Sequence, residues 1–95
     1  MSKFKIIWTE DASESFEKIA LDILKNWNYK IAKDFDNKVD KYLTGLKSNP
    51  KMCQVSKKNK IRKCVVSKQT SLIYRIKKNT IELLLFIENR SNHSY

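Results

Sequence analysis

The one histidine of the chain, His93, lies three residues from Arg90 and two from Tyr95. Histidine is the side chain that ordinarily titrates near neutrality, so His93 is a candidate general acid or base. Tyr95 could donate a proton or stack on a base. Arg90, and with it Arg75 and Arg62, carries a guanidinium that matches phosphate oxygens in pairs. The plainer reading of Ser91–Tyr95 is a frayed chain end. No Ser/His/Asp or Cys/His constellation is present, and one histidine with two separated cysteines argues against a zinc site. A single glycine excludes Gly-rich phosphate-cradling loops. No cofactor is expected.

The densest basic run is Lys57, Lys58, Lys60, Arg62 and Lys63. It reads either as a binding patch or as a solvated loop and strand edge, where lysines discourage sheet-to-sheet pairing. The formal net charge is +10, unevenly placed. Residues 1–50 hold nine basic and eight acidic side chains, whereas residues 51–95 hold eleven basic ones against Glu82 and Glu88 alone. That asymmetry points to a polyanionic partner, nucleic acid or an acidic protein segment, with solubility as the bland alternative.

The elements that must position these groups fit one domain over residues 1–95, with 41% hydrophobic residues. Phe4, Ile6 and Trp8 alternate as a first strand. Thr9 suits a helix N-cap, followed by the stripe Ala12, Phe16, Ile19, Ala20, Ile23, Leu24 and Trp27. Asn28 can cap a second helix with the stripe Ile31, Ala32, Phe35, Val39, Tyr42, Leu43 and Leu46, ended before Pro50. So short a link predicts an antiparallel helical hairpin. Residues 51–59 read as a loop. Three strands follow near 60–66, 71–77 and 80–87, with a turn at Lys78-Asn79 where asparagine would take the positive φ. Trp8 and Trp27 are expected to pack on the core, and Gly45 to permit close packing. The expectation is an α+β fold, β-α-α-β-β-β, with an antiparallel sheet covered on one face by the hairpin. Phe16, Ile23, Phe35, Leu43, Tyr74 and Leu83 should be core. The other face should be basic, exposing Ile73, Leu84 and Phe86.

Two cysteines are too few for a disulfide framework. The segment MSKFKIIWTED reaches acidic residues too soon for a signal peptide, and no apolar run approaches the roughly 20 residues of a membrane span. The chain is expected to be cytoplasmic, without a membrane partner, and both thiols to be reduced. Cys64, inside an apolar strand, reads as a small core residue and not a nucleophile.

Five segments, in order, resemble the RelE/ParE family of bacterial toxins, the plasmid-stabilisation toxins. They are IIWTEDA (Ile6–Ala12), IAKDF (Ile31–Phe35), the Asn49-Pro50 pair, KIRKCVVSKQTSLIYRI (Lys60–Ile76) and IELLLFIENR (Ile81–Arg90). The resemblance implies a growth-inhibiting toxin of a type II toxin–antitoxin module, neutralised by a cognate acidic antitoxin. One branch of the family cleaves mRNA on the ribosome without a metal, and another acts on DNA gyrase without a nuclease site. The hairpin residues, with Ala32, Phe35 and the Asn-Pro end, look closer to the gyrase-directed branch. The nuclease branch's arginine before its third-strand segment falls on Ser71, and its paired lysines on Arg62 and Cys64. Arg90 matches its C-terminal arginine, Tyr95 lies near its tyrosine, and His93 could substitute as acid or base. If the chain is a ribonuclease, Arg90, His93 and Tyr95 are the expected catalytic residues. Lys57, Lys58, Lys60, Arg62, Lys63 and Arg75 are the expected binding residues.

Overall fold

A computed structural model describes residues 4–56 and 60–89. Strand β1 spans Lys5–Trp8, helix α1 Glu10–Asn26 and helix α2 Tyr29–Ser48. Strands β2 (Gln54–Val55), β3 (Arg62–Val65), β4 (Thr70–Lys77) and β5 (Thr80–Glu88) follow. The sheet order is β1-β5-β4-β3-β2, and the helical hairpin covers one face.

Local chemistry sets the helix boundaries. The Thr9 hydroxyl accepts from the Ala12 amide at 3.1 Å and donates to the Leu83 carbonyl at 2.7 Å. It therefore caps α1 and ties it to β5 at once. The Asn28 side-chain oxygen accepts from the Ile31 amide at 3.0 Å, starting α2 after a link of only two residues, Trp27 and Asn28. Ser15 adds a second tie, accepting from the Phe86 amide at 2.9 Å.

The sheet is mixed. β3, β4 and β5 form the expected antiparallel meander, but β1 runs parallel to β5, with Ile6 beside Ile81 and Trp8 beside Leu83. Alternation identifies a strand and not its direction. The two helices return the chain so that β1 enters the β5 edge in that sense. A short edge strand, β2, forms where a loop was expected, pairing Gln54 with Lys63 and Val55 with Arg62.

Between Ile73 and Tyr74 the β4–β5 register shifts, with Ile73 opposite Leu85 and Tyr74 opposite Leu83. Leu84 is the extra residue of a β-bulge. One inserted residue exchanges the faces of everything beyond it. Phe86, expected on the outer face, is instead opposite Leu72 and buried in the core. Its ring stacks on Trp8 at 5.6 Å and lies 5.3 Å from Phe16, which stacks on Phe35 at 5.5 Å.

Of the expected core, Phe35, Tyr74 and Leu83 are fully buried, and Phe16, Ile23 and Leu43 pack against them half-buried. Trp8 joins the aromatic cluster, but Trp27 is 62% exposed. Backbone angles of φ −125° and ψ −98° at the end of α1 turn Trp27 out of the helical stripe. In the β4–β5 turn the positive φ, 56°, belongs to Lys78 and not to Asn79. A Cβ on Gly45 would meet only the tip of Met52, at 3.4 Å, an ordinary contact. Close packing therefore does not require the glycine.

Cys53 and Cys64 are joined in a disulfide, not reduced as expected. The β2–β3 pairing sets them opposite one another with Cα atoms 5.2 Å apart, inside the bridging range. Cys64 is buried, as expected of a small core residue.

Candidate functional site

The face of the sheet turned away from the helices carries Lys63 on β3 and Ser71, Ile73, Arg75 and Lys77 on β4. Glu82, Leu85 and Ile87 continue it on β5. Opposed residues share a face, so the register alone assigns them. Ser71 and Ile87 are buried, and so is Ile73, which was expected to be exposed, whereas Arg75 and Lys77 are exposed and Lys63 is half-buried. Val65 and Ile7, at the flanks, are 57% and 48% exposed. The surface is therefore basic with apolar residues interleaved.

The expected binding residues divide on this geometry. Lys63 and Arg75 share the outer face, but Arg75 donates from Nε to Glu82 Oε1 at 2.5 Å. Arg62 lies opposite Tyr74, on the helix side. Its guanidinium donates to the Cys53 carbonyl at 2.8 Å and more weakly to the Lys51 carbonyl. Lys60 is exposed, with φ at 56°. Lys57, Lys58, Arg90, His93 and Tyr95 lie outside the described residues.

Two polar nodes were not anticipated. Asn89 closes the end of β5 onto the β3–β4 turn. Its Oδ1 accepts from the Ser71 hydroxyl at 2.5 Å, and its amide nitrogen donates to the Ser67 and Lys68 carbonyls. Tyr74 donates its hydroxyl to the Pro50 carbonyl at 2.7 Å, anchoring the connection after α2. Burial raises the Tyr74 pKa above its ordinary 10.0, opposed by the nearby Arg62 charge and a hydrogen bond at the Cys53 backbone. Neither node has a local sequence signal, because the partners lie 18 and 24 residues apart.

A groove of about 400 Å³ runs between the hairpin apex and the β3–β4 turn, lined by Ile23, Trp27, Ile31, Lys38 and Lys68 among others. Among the described residues no cluster of carboxylates, histidines or cysteines could hold a metal ion, and no helix is long and apolar enough to cross a membrane.

Residues 6–93 match the family described as ParE toxin of type II toxin-antitoxin system, parDE. The chain belongs to the ParE toxin family. Solved structures share its fold at low identity. A chain of the chromosomal ParDE system from P. aeruginosa superposes with a TM-score of 0.76 at 16% identity, over 90% of this chain and 96% of that one. A chain of the RelBE2 toxin-antitoxin complex from Mycobacterium tuberculosis gives 0.64 at 14%, over 92% and 99%. One from the E. coli DinJ-YafQ toxin-antitoxin complex gives 0.64 at 13%, over 97% and 99%. No curated protein sequence matches. This ParE-family chain is thus the toxin component of a type II toxin–antitoxin module. Both ParDE and RelBE structures carry its fold, so the fold leaves the target open.

Proposed function

We propose that this ParE-family toxin, acting as a single unit over residues 1–95, restrains growth in the cytoplasm by binding DNA gyrase, without catalysis of its own. The observation that carries this reading is the state of the three positions where the resembling nuclease branch keeps cations. Ser71 is buried and bonded to Asn89. Arg62 is turned to the helix side and engaged by the Cys53 carbonyl. Cys64 is buried in a disulfide. A ribonuclease needs fixed positive charge where the phosphate develops negative charge, and of these three positions only Arg62 is a cation, its guanidinium engaged by backbone carbonyls.

Its partner in the resting module is an acidic antitoxin segment that orders over the basic outer face. Relatives of the same fold come from toxin–antitoxin complexes, which supports that partner. The test is expression without the antitoxin, scored for DNA supercoiling by gyrase and for mRNA cuts at ribosome-occupied codons. Inhibited supercoiling with intact mRNA is the expected result. Codon-positioned cuts that vanish in Arg90→Ala would overturn it in favour of a ribosome-dependent endoribonuclease.

A further inference from the structure

β1 is an edge strand, with β5 on one side and no strand on the other among the described residues. The amides of Lys5 and Thr9 donate to the Asn79 and Leu83 carbonyls, so the odd-numbered backbone groups face β5. Backbone groups of alternate residues point to opposite edges, and those of Phe4, Ile6 and Trp8 therefore face outward. The Phe4 amide is taken by the Lys47 carbonyl at the end of α2, at 3.2 Å. Ile6 and Trp8 are left to offer an amide and a carbonyl each to an added strand. They open on a groove of about 820 Å³ between β1 and the Asp40, Leu43, Thr44 and Lys47 face of α2. Ile7 and Trp8 are exposed along it.

Charge decides the occupant. Unlike the outer face, this edge is balanced, with Lys5 and Lys47 against Glu10 and Asp40, all four exposed. A polyanion gains nothing from such a balance, whereas an antiparallel second copy turns it into pairs.

We propose that β1 is the dimerisation edge of this toxin, where two copies pair antiparallel through Ile6 and Trp8 and join their five-stranded sheets into one. The backbone sets the register. Ile6 of each copy exchanges both hydrogen bonds with Trp8 of the other, and Ile7 meets Ile7 on the twofold axis. A register centred on Ile6 would need the Phe4 amide, which α2 already holds. Ile7 shares the outer face with Glu82, its neighbour on β5, so the central contact is made outside the core. Lys5 comes opposite Thr9 of the second copy, beside Glu10 in the first turn of α1. Asp40 and Lys47 stand two turns apart on one face of α2. The twofold brings the acidic end of one such face to the basic end of the other. Both outer faces then lie on one side of a continuous sheet, each still open to an antitoxin segment.

Sedimentation equilibrium of the full chain at increasing concentration is the test. So short a pairing makes a small interface, and a dissociation constant of about 1–100 µM is expected. Ile7→Lys sets like charges against each other on the axis and should weaken the dimer at least about tenfold. The thermal midpoint of the dilute chain should not move, because Ile7 is exposed. Ile7→Cys tests the register itself. The two native cysteines are bonded to each other, and a non-hydrogen-bonded pair holds its Cα atoms about 4.5 Å apart, inside the disulfide range. The oxidised Ile7→Cys chain should run as a covalent dimer, and Leu21→Cys, exposed on α1, should not. A chain that stays monomeric throughout overturns the proposal. So does a dimer that Ile7→Lys leaves intact, or one that cross-links equally through Leu21→Cys. A monomer whose β1 amides gain exchange protection only when an acidic antitoxin peptide is added gives the edge to that partner instead. Self-association is read without growth inhibition or gyrase, so failure of the gyrase reading leaves this test intact.

Discussion

The two faces of the sheet use alternate residues of the same strands and obey different rules. The inner face, with Leu72, Tyr74, Ile81, Leu83 and Phe86, is closed by the helices and nearly dry. The outer face sets Lys63, Arg75 and Lys77 around Ile73 and Ile87. Inner-face changes therefore cost fold stability, through cavities and unpaired groups. Changes to the exposed outer-face side chains act on partners, because exposed charges contribute little to folding. A toxin of this size can therefore vary its exposed contacts without touching its core.

The largest effect should come from Phe86→Ala. Its ring joins Trp8 and Phe16 in the aromatic cluster, and truncation should cost about 3–5 kcal/mol in denaturant unfolding. Val65→Ala, outer and exposed, should stay within about 0.5 kcal/mol. Equal losses would remove the distinction between the faces.

The next effect belongs to the outer face. Reversing Lys63 and Lys77 to glutamate together should slow association with an acidic antitoxin by roughly tenfold at low salt, through lost steering. The thermal midpoint should move little. Stopped-flow rates at two salt concentrations check this, and a rate indifferent to charge and salt would discard the basic face as the contact surface.

Tyr74→Phe probes the inner face more gently. Losing the bond to Pro50 should cost about 1 kcal/mol at neutral pH, in unfolding free energy. The pKa of Tyr74 is raised above 10.0 by burial, so the folded state holds its proton more tightly than the unfolded state. That contribution is intact below pH 10, falls as pH rises from there, and is gone above the folded pKa. The wild type should therefore lose stability between those limits by a component that Tyr74→Phe lacks. Parallel alkaline limbs in the two proteins would count against the raised pKa.

The smallest effect should come from Gly45→Ala. A Cβ meets only Met52 at an ordinary distance, so helix propensity should add about 0.5–1 kcal/mol. A loss in thermal unfolding would show that Met52 cannot yield.

Much of this molecule was legible locally. Thr9 and Asn28 bond amides three residues ahead, and the helix stripes repeat within four residues. Strand alternation is equally short-ranged, and so the two helices, the meander and the family resemblance could all be read along the chain. The site was less legible, because its state depends on partners distant in sequence. Arg62 looked like one more basic residue until the fold brought the Cys53 carbonyl to it.

The chain order of strands and helices, and the concentration of positive charge after residue 50, belong to the sequence itself. The parallel docking of β1, the Leu84 bulge that carries Phe86 inward, the Cys53–Cys64 bond and the Ser71–Asn89 contact arise only once the elements pack together. Each of these is a choice among pairings of comparable local energy. It is settled by which arrangement buries the apolar stripes and satisfies the buried polar groups together.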